Sequence, residues 1–274
     1  CFYLKSFIYI FCILLKKHLS KLMEIFFLYT HLSLKIKHIQ RFGRIVGGKA
    51  ALPGQFPYQI SIKLNGIHMC GGSIISRNYI LTAAHSHCVV DRPNHYMKYQ
   101  ISSLSVQAGT NNLENGGIRI PVAETIVYPR YFNGDYDADI ALVRLTAPLT
   151  FSTTIQRILL SRNIVPKNTP VVISGWGTLW QDGPNPVQLQ WTILHNLSQR
   201  SCHLPKGYTL DKLLCLGHSK DQGICTGDSG GPAVVNDRLV GVASFFLKKC
   251  GTKRPDLYVK VSRYWQWIKK HSDL

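Results

Sequence analysis

A series of short segments after residue 45, apolar or alternating in character and separated by Gly, Pro and Asn, dictates the fold class. Runs of this length between turn-forming residues are typical of β-strands. Many such strands with frequent turns predict a β-sandwich or a β-barrel. The predicted strands are Tyr58–Leu64, Ser73–Ile75, Tyr79–Thr82, Ser103–Ala108, Ile118–Val127, Ile140–Leu145, Pro170–Ser174, Val187–Leu194, Ala233–Val235, Leu239–Phe246 and Asp256–Val261.

One late segment has a different periodicity. Within Ser262–His271 apolar side chains recur at helical spacing, and two lysines near its end suit the carboxyl end of a helix. We therefore predict an all-β domain with one C-terminal helix. Residues 148–170 are predicted to connect two sets of strands.

Residues 1–44 differ in composition from the rest of the chain and are rich in Phe, Ile, Leu, Tyr and Lys. Phe7–Leu15 is an apolar run that follows Lys5 and resembles the hydrophobic part of a secretory signal. It is shorter than the ~20 residues that cross a bilayer. We interpret residues 1–44 as an atypical signal or propeptide, or as an upstream translated segment, and residues 45–274 as the folded domain.

The cysteines indicate the compartment. Eight are present, six of them after residue 45, and no CxxC pair indicates a zinc site. An even number in the domain predicts three disulfides and a secreted, extracellular protein. The net charge of +18 predicts a basic, solvated surface, and no basic-aromatic run indicates nucleic-acid binding.

Thr226–Ala233 is a glycine-rich loop that carries a serine, Ser229. Glycines permit backbone conformations in which successive N–H groups converge on one point. A nucleophile beside two such donors is what acyl transfer needs, because the tetrahedral intermediate places negative charge on an oxygen there. Gly, Ser and Asp clusters are also typical of ordinary turns, so the loop needs catalytic partners elsewhere in the chain to be more than a turn.

Two further residues match those partners. His85 ends the run Leu-Thr-Ala-Ala-His, and Asp139 opens a predicted strand. A serine becomes nucleophilic when an imidazole takes its proton, and a carboxylate can orient that imidazole and stabilise its cation. The chain order His, Asp, Ser predicts such an arrangement.

Together these motifs resemble the chymotrypsin-like serine endopeptidases. The resemblance covers residues 45–272 and is carried by IVGG at 45–48, CGGSII at 70–75, LTAAH at 81–85, DIAL at 139–142, SGWG at 174–177, GDSGGP at 227–232 and the run ending at Ser244. It implies two six-stranded antiparallel β-barrels, at about residues 45–150 and 165–274, with the site in the cleft between them.

The resemblance also assigns roles. It implies that His85 is the base, Asp139 its orienting acid and Ser229 the nucleophile. The backbone N–H groups of Gly227 and Ser229 would form the oxyanion hole. Ser244 would support Asp139 and, in the substrate pocket, begin the strand that pairs with substrate. The family's disulfide pattern implies the pairs Cys70–Cys88, Cys202–Cys215 and Cys225–Cys250.

An activation step is implied as well. A trypsin-like protease would cut after Arg44, and the new ammonium group of Ile45 would pair with Asp228. In the uncut chain His68 either holds Asp228 or is an ordinary strand-edge histidine; the sequence leaves both open.

The chain departs from the family pattern next to His85. The family has Cys directly after the catalytic histidine, but here Ser86 and His87 precede Cys88. If the strand sets the alignment, His85 is the base; if the disulfide sets it, His87 is. We favour His85, because the Thr-Ala-Ala lead-in sets how the imidazole approaches Asp139.

The substrate pocket departs too. Trypsins have an Asp six residues before the serine, where this chain has Gly223, so a preference for Lys or Arg is not expected. Asp256, on the opposite wall, either attracts a basic side chain or is a satisfied buried acid. Phe246 stands where the family usually has Gly, and its ring either narrows the pocket, as bulky residues do in elastases, or forms a wall.

Two functions remain. The first is a secreted serine endopeptidase with chymotrypsin- or elastase-like preference for the residue before the scissile bond (P1), activated by cleavage after Arg44. The second is a non-catalytic protease homologue that acts as a binding or regulatory module. For the enzyme we expect a monomer, protein or peptide substrates, a trypsin-like activator and protein inhibitors as partners, and neither cofactor nor metal.

Overall fold

A computed structural model describes residues 45–85, 100–131, 136–198, 200–204 and 208–274. Residues 1–44, including the predicted signal-like run and Arg44, lie outside these ranges, and so do His87 and Cys88. The strands are β1 (Lys49–Ala50), β2 (Gln59–Leu64), β3 (Ile67–Ile74), β4 (Tyr79–Thr82), β5 (Leu104–Ala108), β6 (Ile118–Val127), β7 (Ala141–Leu145), β8 (Leu159–Leu160), β9 (Pro170–Gly175), β10 (Gln190–Asn196), β11 (Leu213–Gly217), β12 (Pro232–Val235), β13 (Arg238–Phe246) and β14 (Asp256–Lys260). The helix α1 spans Val261–Lys270.

The first barrel closes in the order β2-β3-β4-β7-β6-β5, with antiparallel pairing throughout. Its interior is filled by branched aliphatic side chains such as Ile60, Ile62, Ile80 and Leu142, which are fully buried. These residues suit a barrel because β-branched and aliphatic side chains pack well on a pleated surface. The closed barrel leaves no unpaired strand edge.

The second barrel runs β9-β10-β11-β14-β13-β12 and closes through the pairing of β12 with β9. The short strand β1 adds to β10, and β8 pairs in parallel with β13. Helix α1 follows β14 directly and buries Tyr264 and Ile268. The predicted all-β fold, two six-stranded antiparallel barrels with a C-terminal helix, is confirmed.

Several strand predictions need correction. The strand after Asp139 begins at Ala141, so Asp139 precedes the strand rather than opening it. Strands β1, β8 and β11 have no counterpart among the predicted strands. The first two are only two residues long, and β11 is apolar without alternation because its side chains are buried on both faces.

Candidate active site

The carboxylate of Asp139 lies just before β7 and is almost fully buried. Its Oδ1 accepts hydrogen bonds from the backbone N–H groups of Ala84 and His85, both at 2.7 Å. Its Oδ2 accepts one from His85 Nδ1 at 2.8 Å and one from Ser244 Oγ at 2.5 Å. Four donors therefore hold this carboxylate in one orientation, and one of them is the imidazole.

The pKa values of Asp139 and His85 are shifted in opposite directions. Burial alone would raise the pKa of Asp139, but His85 and the hydrogen bonds outweigh it, and the pKa lies below its usual value. Burial alone would lower the pKa of His85, but Asp139 outweighs it and raises that pKa. Because Nδ1–H donates to the carboxylate, the neutral ring has its lone pair on Nε2, where it can accept a proton.

Strand β4 places His85 beside Asp139. Thr82, the last residue of the strand, donates from Oγ1 to the carbonyl of Gly71 at 2.8 Å, and Ala83 and Ala84 are fully buried. Both alanines belong to the buried core, and the place of a Cβ at Gly230 lies 3.1 Å from the backbone nitrogen of Ala83.

The loop that carries Ser229 is pressed against the same strand. A Cβ at Gly230 would lie 2.1 Å from Thr82 Oγ1, and the φ of Gly230 is +79°, so only glycine fits. The carbonyl of Ser229 accepts from the N–H of Gly71 at 2.8 Å. The loop therefore meets β3 and the end of β4, and His85 follows the last residue of β4 by three positions.

The loop also carries the backbone N–H groups of Gly227 and Ser229. Within the described ranges, the N–H groups of Gly227 and Ser229 form no hydrogen bond, and Gly227 has a φ of +97°. Free N–H groups beside a serine are the arrangement that stabilises a developing oxyanion.

Within this loop, His68 contacts the backbone of Gly227 and not the side chain of Asp228. Its Nε2 lies 3.0 Å from the carbonyl oxygen of Gly227, and its Nδ1 lies 2.8 Å from Ser61 Oγ. Burial lowers its pKa to about 4, so the ring is neutral at physiological pH. Since a carbonyl only accepts, Nε2–H donates to Gly227 and Nδ1 accepts from Ser61. Neither of the two hydrogen bonds described for His68 goes to Asp228. The alternative in which His68 holds Asp228 is therefore not seen among these contacts.

The side chain of Asp228 points from the loop into the buried interior. Its carboxylate accepts from the N–H of Gly177 at 2.7 Å and from the N–H of Cys225 at 3.0 Å. A Cβ at Gly175 or Gly177 would lie 2.1 or 2.2 Å from its oxygens, which explains both glycines of the SGWG motif. Burial raises the pKa of Asp228 to about 7, and no cation of the described ranges pairs with it.

The segment that follows Arg44 is already inserted in the second barrel. Ile45 is fully buried and packs with Leu214, Ile224 and Val240. Val46 forms a bridge with Gly223, five residues before Asp228. The start of the domain and the buried carboxylate therefore share one region of the second barrel.

Gly223 and Asp256 meet at the base of the expected substrate pocket. A Cβ at Gly223 would lie 2.4 Å from Asp256 Oδ2, and Ile224 N–H donates to the same oxygen at 2.7 Å. His218 Nε2 lies 3.3 Å from it, close enough for an ion pair although the ring N–H is not aligned for a hydrogen bond. His218 is not among the residues predicted from the sequence, because a lone histidine after a strand carries no signal.

Phe246 is half-buried and packs against Val46 and the disulfide between Cys225 and Cys250. The neighbouring Phe245 turns to the opposite side of the strand, where its ring centroid lies 5.0 Å from that of Tyr208. The ring of Phe246 thus faces the loop that bears Gly223 and Cys225.

The disulfides agree with the implied pairs as far as the described ranges reach. Cys202–Cys215 and Cys225–Cys250 are formed, with Cα–Cα distances of 6.3 and 5.1 Å. Cys70 is also disulfide-bonded, and Cys88, its expected partner, lies outside the described ranges.

A double barrel with a histidine–carboxylate pair and a glycine-rich serine loop between its halves defines the class of chymotrypsin-like serine peptidases. The sequence profile of the family named Trypsin matches residues 45–268. The chain belongs to this family and is a serine-type endopeptidase, a hydrolase, as the sequence analysis predicted.

Individual relatives agree. The chain is 40% identical to serine protease SP24D of Anopheles gambiae over 82% of its own length and 80% of the relative's. It is 33% identical to chymotrypsin-2 of Vespa crabro, with 83% and 99% covered. Among solved structures, mouse neuropsin superposes with a TM-score of 0.73 at 30% identity, over 81% of this chain and 97% of that one.

Two kinds of feature are absent from the described ranges. No helix there is long and apolar enough to cross a bilayer. No group of His, Cys, Asp and Glu side chains there is arranged to hold a metal ion.

Proposed function

We propose that the protein is a secreted endopeptidase that acts through His85, Asp139 and Ser229. The observation that carries the proposal is the carboxylate of Asp139, held by four donors with His85 Nδ1 among them at 2.8 Å. A carboxylate this constrained keeps the imidazole in the tautomer with a bare Nε2.

The chemistry follows from that tautomer. Ser229 Oγ attacks the peptide carbonyl carbon while its proton moves to His85 Nε2. His85 then gives the proton to the leaving amine as the C–N bond breaks, which leaves an acyl-enzyme. Water, activated by the same imidazole, cleaves the ester and restores Ser229. The N–H groups of Gly227 and Ser229 stabilise the oxyanion both when the acyl-enzyme forms and when it is hydrolysed.

Activation by cleavage after Arg44 is supported by the state of Asp228. This buried carboxylate has a pKa of about 7 and no counterion within the described ranges. A new ammonium group on Ile45, at the start of the segment inserted nearby, would supply the charge. A buried ion pair that lacks one partner loses about 3–5 kcal/mol. Pairing therefore stabilises the loop in the conformation that presents the Gly227 and Ser229 donors.

Blocking the cut tests this step. With Arg44→Gln, a trypsin-like protease should leave the bond before Ile45 intact, and the rate of peptide hydrolysis should stay about 10²- to 10⁴-fold below that of the cut protein, the equivalent of about 3–5 kcal/mol. N-terminal sequencing identifies the cut, and Arg41→Gln is the matched control that should be activated normally. Equal rates before and after cleavage at Arg44 would exclude this form of activation.

The pocket supports a preference for uncharged P1 side chains. Gly223 brings no acid, and Asp256 already accepts the N–H of Ile224 at 2.7 Å and lies beside His218. The packing of Phe246 on the Cys225–Cys250 disulfide supports the alternative in which its ring narrows the pocket. We propose small to medium apolar P1 residues as the preferred substrates.

Removing the ring should widen the pocket. In Phe246→Gly, kcat/KM for peptides with P1 Phe or Tyr should rise at least tenfold relative to P1 Ala, because the space of the phenyl group becomes available. A peptide library varied only at P1 measures the change. Phe245→Leu, on the opposite side of the strand, is the control and should keep the parent profile. An unchanged profile in Phe246→Gly would place the ring outside the pocket.

The partners follow from this function. Disulfides Cys202–Cys215 and Cys225–Cys250 require an oxidising compartment, which supports secretion. We propose that the protein is a monomer and that its substrates are proteins. Its other partners would be a trypsin-like activator and protein inhibitors that occupy the substrate cleft. Labelling of the Arg44-cut protein by a fluorophosphonate tests the catalytic proposal, and its absence would favour the non-catalytic module instead.

A further inference from the structure

A buried pair that the proposed mechanism does not use lies directly behind Gly223. The side chains of His218 and Asp256 are 1% and 2% exposed, and His218 Nε2 lies 3.3 Å from Asp256 Oδ2. A Cβ at Gly223 would approach Asp256 Oδ2 to 2.4 Å and His218 Nε2 to 2.7 Å, and the φ of Gly223 is +112°. The pair thus occupies the space that a side chain at Gly223 would need.

The contacts of the two ring nitrogens fix how many protons the pair holds. His218 Nδ1 lies 2.8 Å from the carbonyl oxygen of Ser219, which only accepts, so Nδ1 carries a hydrogen. Nε2 faces the carboxylate. Two bare lone pairs at that distance in a buried site would repel each other, so one proton resides on Nε2 or on the carboxyl group. In either form His218 and Asp256 together carry no net charge.

Two other ionisable groups face Asp256. The negative charge of Asp256 contributes to the raised pKa values of Asp228 and of Tyr258. Neither group is a cation, so in the described part of the chain His218 is the side chain that neutralises Asp256. In the cut protein we propose that the ammonium group of Ile45 pairs with Asp228, so His218 is still the partner of Asp256.

We propose that His218 determines specificity by neutralising Asp256 at the base of the pocket, so that the pocket accepts uncharged P1 side chains and excludes Lys and Arg. This inference rests on the proposed function of the site. A cation that enters the pocket loses its hydration, and only an unneutralised carboxylate can compensate. Burial raises the pKa of Asp256, and His218 opposes that rise. With His218 absent, a cation that enters the pocket is the group that ionises Asp256 and pairs with it, since only Gly223 lies between them.

The experiment compares a cation with its neutral isostere, benzamidine with benzamide. All variants carry Phe246→Gly, which gives both probes access. In this background His218→Gln retains a donor near Asp256 but no titratable proton. We expect benzamidine to bind at least tenfold more tightly than in the background variant, with benzamide unchanged. Adding Asp256→Asn should abolish the gain. Isothermal titration measures binding, and kcat/KM for P1 Arg against P1 Leu should shift in the same direction.

The outcomes separate the inference from the proposed function. An unchanged benzamidine to benzamide ratio in folded His218→Gln protein would overturn the inference. Asp256→Asn alone gives a second test that does not depend on that variant folding. It should change benzamidine affinity less than threefold, and a tenfold loss would show that Asp256 already attracts cations. A failure of the proposed function appears instead as absent fluorophosphonate labelling, while the titrations still report on the pocket.

Discussion

Ser229→Ala in the Arg44-cut protein is expected to slow peptide hydrolysis by roughly 10⁶-fold in kcat, the size of loss that follows when a triad nucleophile is removed. The reason is chemical, because without Oγ no acyl-enzyme forms. The fold should persist, since the described bond from Gly71 N–H goes to the backbone carbonyl of Ser229, which alanine retains. Hydrolysis of a fluorogenic peptide measures the rate, and the melting temperature verifies the fold.

Labelling gives an independent measure of the same substitution. A fluorophosphonate should modify the parent on the peptide that contains Ser229 and should leave Ser229→Ala unmodified. The matched control is Ser201→Ala, which removes an exposed hydroxyl of the same barrel and should keep the parent rate. Turnover unchanged by Ser229→Ala would refute the triad assignment, and an unlabelled parent would favour the non-catalytic alternative.

Local motifs predicted those parts of the site whose residues are near one another in sequence. The His85 lead-in and the Gly227–Pro232 loop could be recognised because each needs small residues at set positions. At Gly223 the sequence itself excludes an acid, because glycine has no side chain. The physical reason for glycine there, a carboxylate oxygen 2.4 Å from the place of a Cβ, appears only in the folded chain.

Contacts between distant segments could not be predicted in this way. His68 reaches the carbonyl of Gly227 across 159 positions, and nothing near His68 in sequence marks that contact. His218 meets Asp256 because β11 and β14 are paired, with Leu216 opposite Asp256. Their register depends on the closure of the whole second barrel, which is a property of the fold rather than of a motif.

The second large effect is expected for Asp139→Asn, because Asp139 sets the tautomer of His85. In Asp139→Asn the amide must place one oxygen and one NH₂ where two carboxylate oxygens now lie. Oδ1 faces the backbone N–H groups of Ala84 and His85, both at 2.7 Å, and these can only donate. The amide oxygen therefore takes that place, and its NH₂ faces His85 Nδ1. The ring must then accept at Nδ1 and carry its hydrogen on Nε2, where it can no longer take the proton of Ser229.

We therefore expect Asp139→Asn to lower kcat by about 10⁴-fold, the size of the effect that this substitution has on the triad of this family. The pH profile should change as well. Asp139 raises the pKa of His85, and activity requires the neutral ring, so the acid limb of the parent lies above the ordinary histidine value. Without the carboxylate, the residual activity should have its acid limb at lower pH.

The control for this substitution is Asp137→Asn, the same change two residues away. Asp137 is also buried, but its Oδ2 accepts from the N–H of Thr209 at 2.9 Å and not from His85. This variant should keep its kcat within about tenfold of the parent and its acid limb in place. If Asp139→Asn behaves like Asp137→Asn, then Asp139 does not set the tautomer of the base, and the base must be sought at His87.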